Sequence, residues 1–93
     1  MRTRWTGPAR ENLREIRRYI AQDNPRAAAA VVHRITSATR RLGRFPRMGR
    51  EARLSDGREL VVAGTPYVIL YRVLADTVDI EHVRHTARFH PFL

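Results

Sequence analysis

Arginine and histidine carry most of the chemistry available to this chain. All eighteen basic residues are Arg, none is Lys, and Cys is absent. A guanidinium offers phosphate or carboxylate a planar, two-pronged donor and stays charged in any environment. Without Cys there are neither disulfides nor thiolate chemistry. The formal charge of +9 points to an anionic partner, either nucleic acid or an acidic protein. The plainer alternative is a solvated basic surface. His85 is a candidate proton carrier, set against a strand-end His bonded to backbone. His82 and His85 are three apart, which on a strand sends them to opposite faces. No carboxylate or Cys spacing joins them, so neither a metal nor any other cofactor is expected. Arg88, beside Phe89 and Phe92, reads either as a phosphate or partner contact or as a cation stacked on those rings. Tyr71 has a hydroxyl to offer a ligand, although tyrosine on a central strand is more often core. Glu11, Glu15 and Asp23 read as surface charges, because nothing gathers two carboxylates into a buried acid–base dyad.

These side chains need elements to hold them. Residues 3–6 read as a short strand with Trp5 facing a core. Thr6 or Gly7 caps the next helix, and Pro8 suits its first turn. Ala9, Leu13, Ile16 and Ile20 form one helical stripe, with Arg10, Arg14, Arg17 and Arg18 off it. Glu11 and Glu15 precede Arg14 and Arg18 by three, a spacing for surface pairs. Asn24-Pro25 starts a second helix running to about Leu42, with its stripe on Ala28, Val31, Val32, Ile35, Ala38, Thr39 and Leu42. Gly43 is expected to end it in a left-handed conformation. Residues 43–57 read as a loop carrying Arg44, Arg47, Arg50 and Arg53, pinned to the core by Phe45 and Met48.

Strands follow at about 58–63, 66–74 and 77–84, separated by turns at Gly64-Thr65 and Ala75-Asp76. The middle strand is apolar on both faces and so is central. Val83 breaks the alternation of the last strand, and a bulge near Glu81-His82 restores it. The class is α+β in the order β-α-α-β-β-β. A short N-terminal strand and an antiparallel helix hairpin pack on a small antiparallel sheet formed mainly by the three C-terminal strands. At 93 residues the chain suits one domain spanning 1–93. No apolar run is long enough for a membrane span. The N-terminus has no apolar signal core, so a cytoplasmic location is expected.

The ordered set of segments resembles the RelE/ParE superfamily of bacterial toxins from type II toxin–antitoxin pairs. The pieces are Trp5-Thr6 with Ala9, Leu13, Ile16 and Tyr19-Ile20; Asn24-Pro25 with Ala28; Leu42, Phe45-Pro46 and Gly49; Arg58-Glu-Leu; Tyr67-Val-Ile-Leu-Tyr-Arg-Val; and Val78-Asp-Ile, Val83-Arg-His-Thr-Ala and Arg88. The resemblance implies a co-expressed antitoxin whose acidic C-terminal segment wraps the toxin, in keeping with the +9 charge. Operator DNA would then be bound only through the antitoxin. Residues for antitoxin or target are expected among Arg14, Arg17, Arg58, Tyr71, Arg72, Arg88 and Phe89.

Some members of the superfamily cut mRNA on the ribosome, stabilising a doubly charged phosphorane while moving two protons. On that reading the catalytic candidates are Arg58, Arg84, His85, Arg88 and His90. The cleaving branch commonly carries Arg three residues before the tyrosine that matches Tyr71, and here that position is Val68. A missing transition-state cation costs about 3–4 kcal/mol of barrier. Arg72 lies on the same face but is displaced along the strand. Pro66-Tyr-Val-Ile-Leu-Tyr-Arg72 looks more like the ParE branch, whose members poison DNA gyrase without a hydrolytic site. Gyrase poisoning is therefore the favoured expectation, with a ribosome-dependent endoribonuclease second and an inert basic binding module third.

Overall fold

A computed structural model describes residues 1–52 and 56–89; of Arg88 and Phe89 it describes the backbone alone. The chain begins as strand β1 (Arg2–Trp5) and turns at Thr6 into helix α1 (Gly7–Ala21). The Thr6 hydroxyl oxygen accepts the Ala9 N–H at 3.4 Å and donates to the Ile80 carbonyl at 2.8 Å. One side chain thus starts the helix and ties it to the sheet. Asn24 caps α2 (Pro25–Arg44) by accepting the Ala27 N–H at 3.1 Å. Both caps are those expected from the sequence.

Strands β2 (Arg50–Glu51), β3 (Arg58–Val61), β4 (Tyr67–Val73) and β5 (Thr77–His85) follow, then the single helical turn α3 (Thr86–Phe89). The sheet order is β1-β5-β4-β3-β2, with β1 parallel to β5 and the remaining pairs antiparallel. The expected helix hairpin and late strands are present. Two features are additional: the parallel pairing of β1, and β2 inside the segment read as loop.

The helices cover one face of the sheet. Tyr67, Ile69 and Tyr71 of β4 and Val78, Ile80 and Val83 of β5 meet Ile16, Ile35, Ala38 and Leu42 in one core. Tyr71, Ile35, Leu42, Ile69 and Ile80 are fully buried, each apolar side chain contributing about 1.5–3 kcal/mol. Leu70 pairs with His82 and Tyr71 with Ile80, leaving Glu81 as an extra residue. This is the expected bulge, and it lets both Ile80 and Val83 face the core.

The opposite face is ionic as well as apolar. Val68 is 1% exposed there. On the same face Arg50 Nε meets Glu59 at 2.6 Å, Arg72 Nε meets Glu81 at 3.4 Å, and Arg4 pairs with Asp79.

Two expectations about the α2–β3 connection are corrected. Gly43 does not end α2 in a left-handed turn; it is helical and buried, and α2 continues to Arg44. A Cβ on Gly43 would lie 2.7 Å from the Met1 carbonyl oxygen, so glycine is needed for close approach of β1, not for a cap. Phe45 and Met48 do not pin the loop either, being 59% and 41% exposed. The anchor is Tyr71, whose hydroxyl donates to the Pro46 carbonyl at 2.7 Å and accepts the Gly49 N–H at 2.9 Å.

Candidate functional site

Strand β1 pairs only with Thr77–Ile80, so Glu81–His85 of β5 run past its end. Where a neighbouring strand would continue, the Asn12 side chain of α1 accepts the Val83 N–H at 3.0 Å. Beyond this substitute the edge opens into a groove of about 880 Å³ between α1, the start of α2 and the ends of β4 and β5. Its apolar lining comes from Ile16, Tyr19, Ile20, Val31, Tyr67 and Val83; Asn12, Glu15 and His85 add polar groups. Tyr19 is 71% exposed. An apolar groove with a polar rim beside an open strand edge is a place for a partner segment. Tyr19 and Asn12 were not singled out individually as site residues. The available signal for Tyr19 was an aromatic lying off the helical stripe; nothing local marks Asn12.

His85 stands at the end of this groove. Its ring meets Tyr67 edge-on at 5.5 Å, and its Nδ1 accepts the Ala87 N–H at 3.2 Å. That bond leaves Nε2 free to face the groove. Arg84 points to the opposite sheet face, where it is exposed and lies 3.4 Å from His82 Nδ1. Burial first, then Arg84, holds His82 below the usual histidine range, with Glu81 opposing. Arg58 pairs in register with Tyr71, whereas His85 pairs with Tyr67, about 13 Å further along the strand. The Arg58 guanidinium donates to the Gly49 carbonyl at 2.8 Å. The side chain of Arg88, and His90 altogether, lie outside the described residues. Arg58, Arg84 and His85 are therefore not brought to one point.

The other residues expected to meet a partner are dispersed. Arg14 and Arg17 are exposed on α1, with Arg14 3.1 Å from Glu11. Arg72 is half-buried against Glu81. The Phe89 side chain lies outside the described residues. Tyr71 has no exposed surface, and its hydroxyl serves the chain itself. Burial pushes that hydroxyl above its ordinary pKa, with the Gly49 N–H and Arg58 opposing. Among the described residues no three His, Asp or Glu side chains converge as metal ligands, and no helix is long and apolar enough to cross a membrane.

Residues 3–88 match a family model, that of the ParE toxin of the type II toxin–antitoxin system parDE. The chain belongs to the ParE toxin family. It is similar to Y4kP of Sinorhizobium fredii, 48% identical over 84 residues that cover 90% of this chain and 86% of that protein. It is similar also to the toxin RelE2 of Caulobacter vibrioides, 43% identical over 84 residues, covering 90% and 93%. A chain of the chromosomal ParDE TA system from P. aeruginosa shares the fold, with a TM-score of 0.79 at 23% identity over 91% of this chain and 95% of that one. This ParE-family chain is thus the toxin of a type II toxin–antitoxin pair. Its relatives carry both ParE and RelE names, so names alone do not select a target.

Proposed function

We propose that this toxin arrests growth by binding and poisoning DNA gyrase, without hydrolysing anything. Val68 carries the reading: on the central strand, where a phosphate-binding cation would serve RNA cleavage, stands a valine with 1% exposure. The separation of Arg58, Arg84 and His85 supports it. A cognate antitoxin silences the toxin by laying an apolar segment with acidic residues into the groove beside Tyr19. Folding of that segment on binding buries the groove and closes the open edge of β5. Operator DNA is held through the antitoxin, and the target is met in the cytoplasm.

A specific observation favours a second reading. Arg84 lies directly across from Val68 on the same sheet face, with His82 close by. A cation and an imidazole there would suit a ribosome-dependent endoribonuclease. Induction of the toxin without antitoxin separates the two. An early DNA-damage response with continuing translation is expected for gyrase. An early halt in protein synthesis, with mRNA cut in the ribosomal A site and protected by Arg84→Ala, would replace the first reading with the second.

A further inference from the structure

The turn that follows α2 is built to hold two apolar side chains out in solvent. Residues 45–48 form a β-turn closed by the Met48 N–H on the Phe45 carbonyl at 3.0 Å. Pro46 at its second position pre-sets the backbone, and the turn brings the Phe45 and Met48 Cα atoms within about 7 Å. The underside is fixed by three hydrogen bonds: Tyr71 Oη to Pro46, Gly49 to Tyr71 Oη, and Arg58 to Gly49. Gly49 belongs to the same anchor, since a Cβ there would lie 2.6 Å from both the Glu59 carbonyl and the Tyr71 hydroxyl. Phe45 and Met48 are nonetheless 59% and 41% exposed. Scattered surface apolar residues need no explanation, but this pair is adjacent and pre-organised. Arg44 and Arg47 flank it, both exposed and without an ion pair among the described residues.

We infer that the Phe45–Met48 turn is a docking knob for a protein target, inserting into an apolar pocket rimmed by carboxylates. Phe, Met and Arg are the residue types enriched at protein interfaces, and a rigid aromatic anchor surrounded by cations has the make-up of a binding hot spot. Arg44 and Arg47, exposed and without an ion pair among the described residues, set the partner's charge as acidic. Nucleic acid fits less well: single strands stack on successive aromatics, and between Arg40 and Arg58 the only aromatic residue is Phe45. The knob is also remote from the antitoxin groove. Val31 in the groove and Arg44 beside the knob are thirteen positions apart on α2, about 20 Å along the helix. Target and antitoxin therefore use different surfaces.

This inference rests on the reading that the toxin acts by binding, and one set of variants tests it separately from the choice of gyrase. Phe45→Ser with Met48→Ser alters exposed side chains only; Arg44→Gln with Arg47→Gln removes the charge and keeps most of the side-chain length. Each is purified with its antitoxin, and each is induced alone in cells. The expected result is wild-type yield and melting temperature of the antitoxin complex, with growth inhibition weakened about tenfold or more by each pair. Full growth inhibition by the Phe45/Met48 pair would overturn the inference. Loss of antitoxin binding together with toxicity would overturn the separation of surfaces. If the wild type arrests growth but leaves purified gyrase untouched, the gyrase reading falls while the growth comparison still decides the knob. Wild-type binding to single-stranded RNA that Phe45→Ser abolishes would assign the knob to nucleic acid and overturn the protein assignment.

Discussion

Tyr71 shows how a single residue can be read correctly by type and missed by role. Its position on the central strand predicted burial, and it is buried; what its hydroxyl does depends on a loop 22 and 25 residues away. Tyr71→Phe would leave a buried N–H and a carbonyl without their partner, at a cost of about 1–3 kcal/mol. Thermal melting should then fall by several degrees, roughly 4–8 °C per kcal/mol in a domain of this size. Tyr71 also sets a limit at high pH. Its pKa is raised in the folded protein, so the unfolded chain ionises first, and stability should decline as pH rises above about 10. His82 has the opposite sign. Its folded pKa is lowered, so its contribution is present above about pH 6.5 and is lost as pH falls through the lower folded value. Denaturant titrations at pH 7 and pH 5 should show a shallower loss for His82→Gln than for the wild type. An equal loss would mean that His82 is no better hydrated unfolded than folded.

Among the elements, local signals were the most legible. Thr6, Asn24 and Pro25 marked helix starts because a cap is a three-residue event. The misplaced Val83 marked the bulge because strand alternation is a two-residue event. The parallel pairing of β1 with β5 joins residues some 75 positions apart, and no local pattern encodes it. Gly43 was misjudged for the same reason: the atom that requires glycine belongs to Met1, across the fold. Gly43→Ala should therefore push β1 outward and destabilise the protein by about 1–3 kcal/mol. Faster amide exchange at Thr3–Trp5 would locate the damage, whereas a stabilising effect would show that β1 moves aside freely. Asn12→Ala should cost about 1 kcal/mol by unpairing the Val83 N–H, and should raise amide exchange at Val83.

At the scale of the whole molecule, the charge is unevenly spent. Three arginines of the sheet face turned away from the helices, Arg4, Arg50 and Arg72, are matched by Asp79, Glu59 and Glu81. Arg10, Arg17, Arg18, Arg40, Arg41, Arg44 and Arg47 of the helices and the following turn are exposed without such matches among the described residues. The basic surplus therefore faces outward from the helical layer, where an acidic antitoxin segment and an acidic target rim would both meet it. Association with either should slow as ionic strength rises, since charges separated by more than about 8 Å are screened at 0.15 M salt. Rates unchanged between 0.05 and 0.5 M salt would detach the +9 charge from partner recognition, at roughly the screening lengths quoted for that range.

Legibility at this scale followed kind. The family could be read from ordered apolar segments spread over the chain, because each reports a local element. An open sheet edge or apolar groove between helices and sheet could be expected, but its position and lining could not, because they arise where β1 stops short of β5 and Asn12 takes its place. Action by binding, without hydrolysis, is tested most directly by a supercoiling reaction containing purified gyrase, relaxed plasmid and antitoxin-free toxin. Inhibition that saturates near one toxin per gyrase subunit and survives His85→Ala and Arg84→Ala is the predicted result. Undiminished supercoiling at several-fold molar excess, with the same preparation cutting mRNA on translating ribosomes, would contradict it.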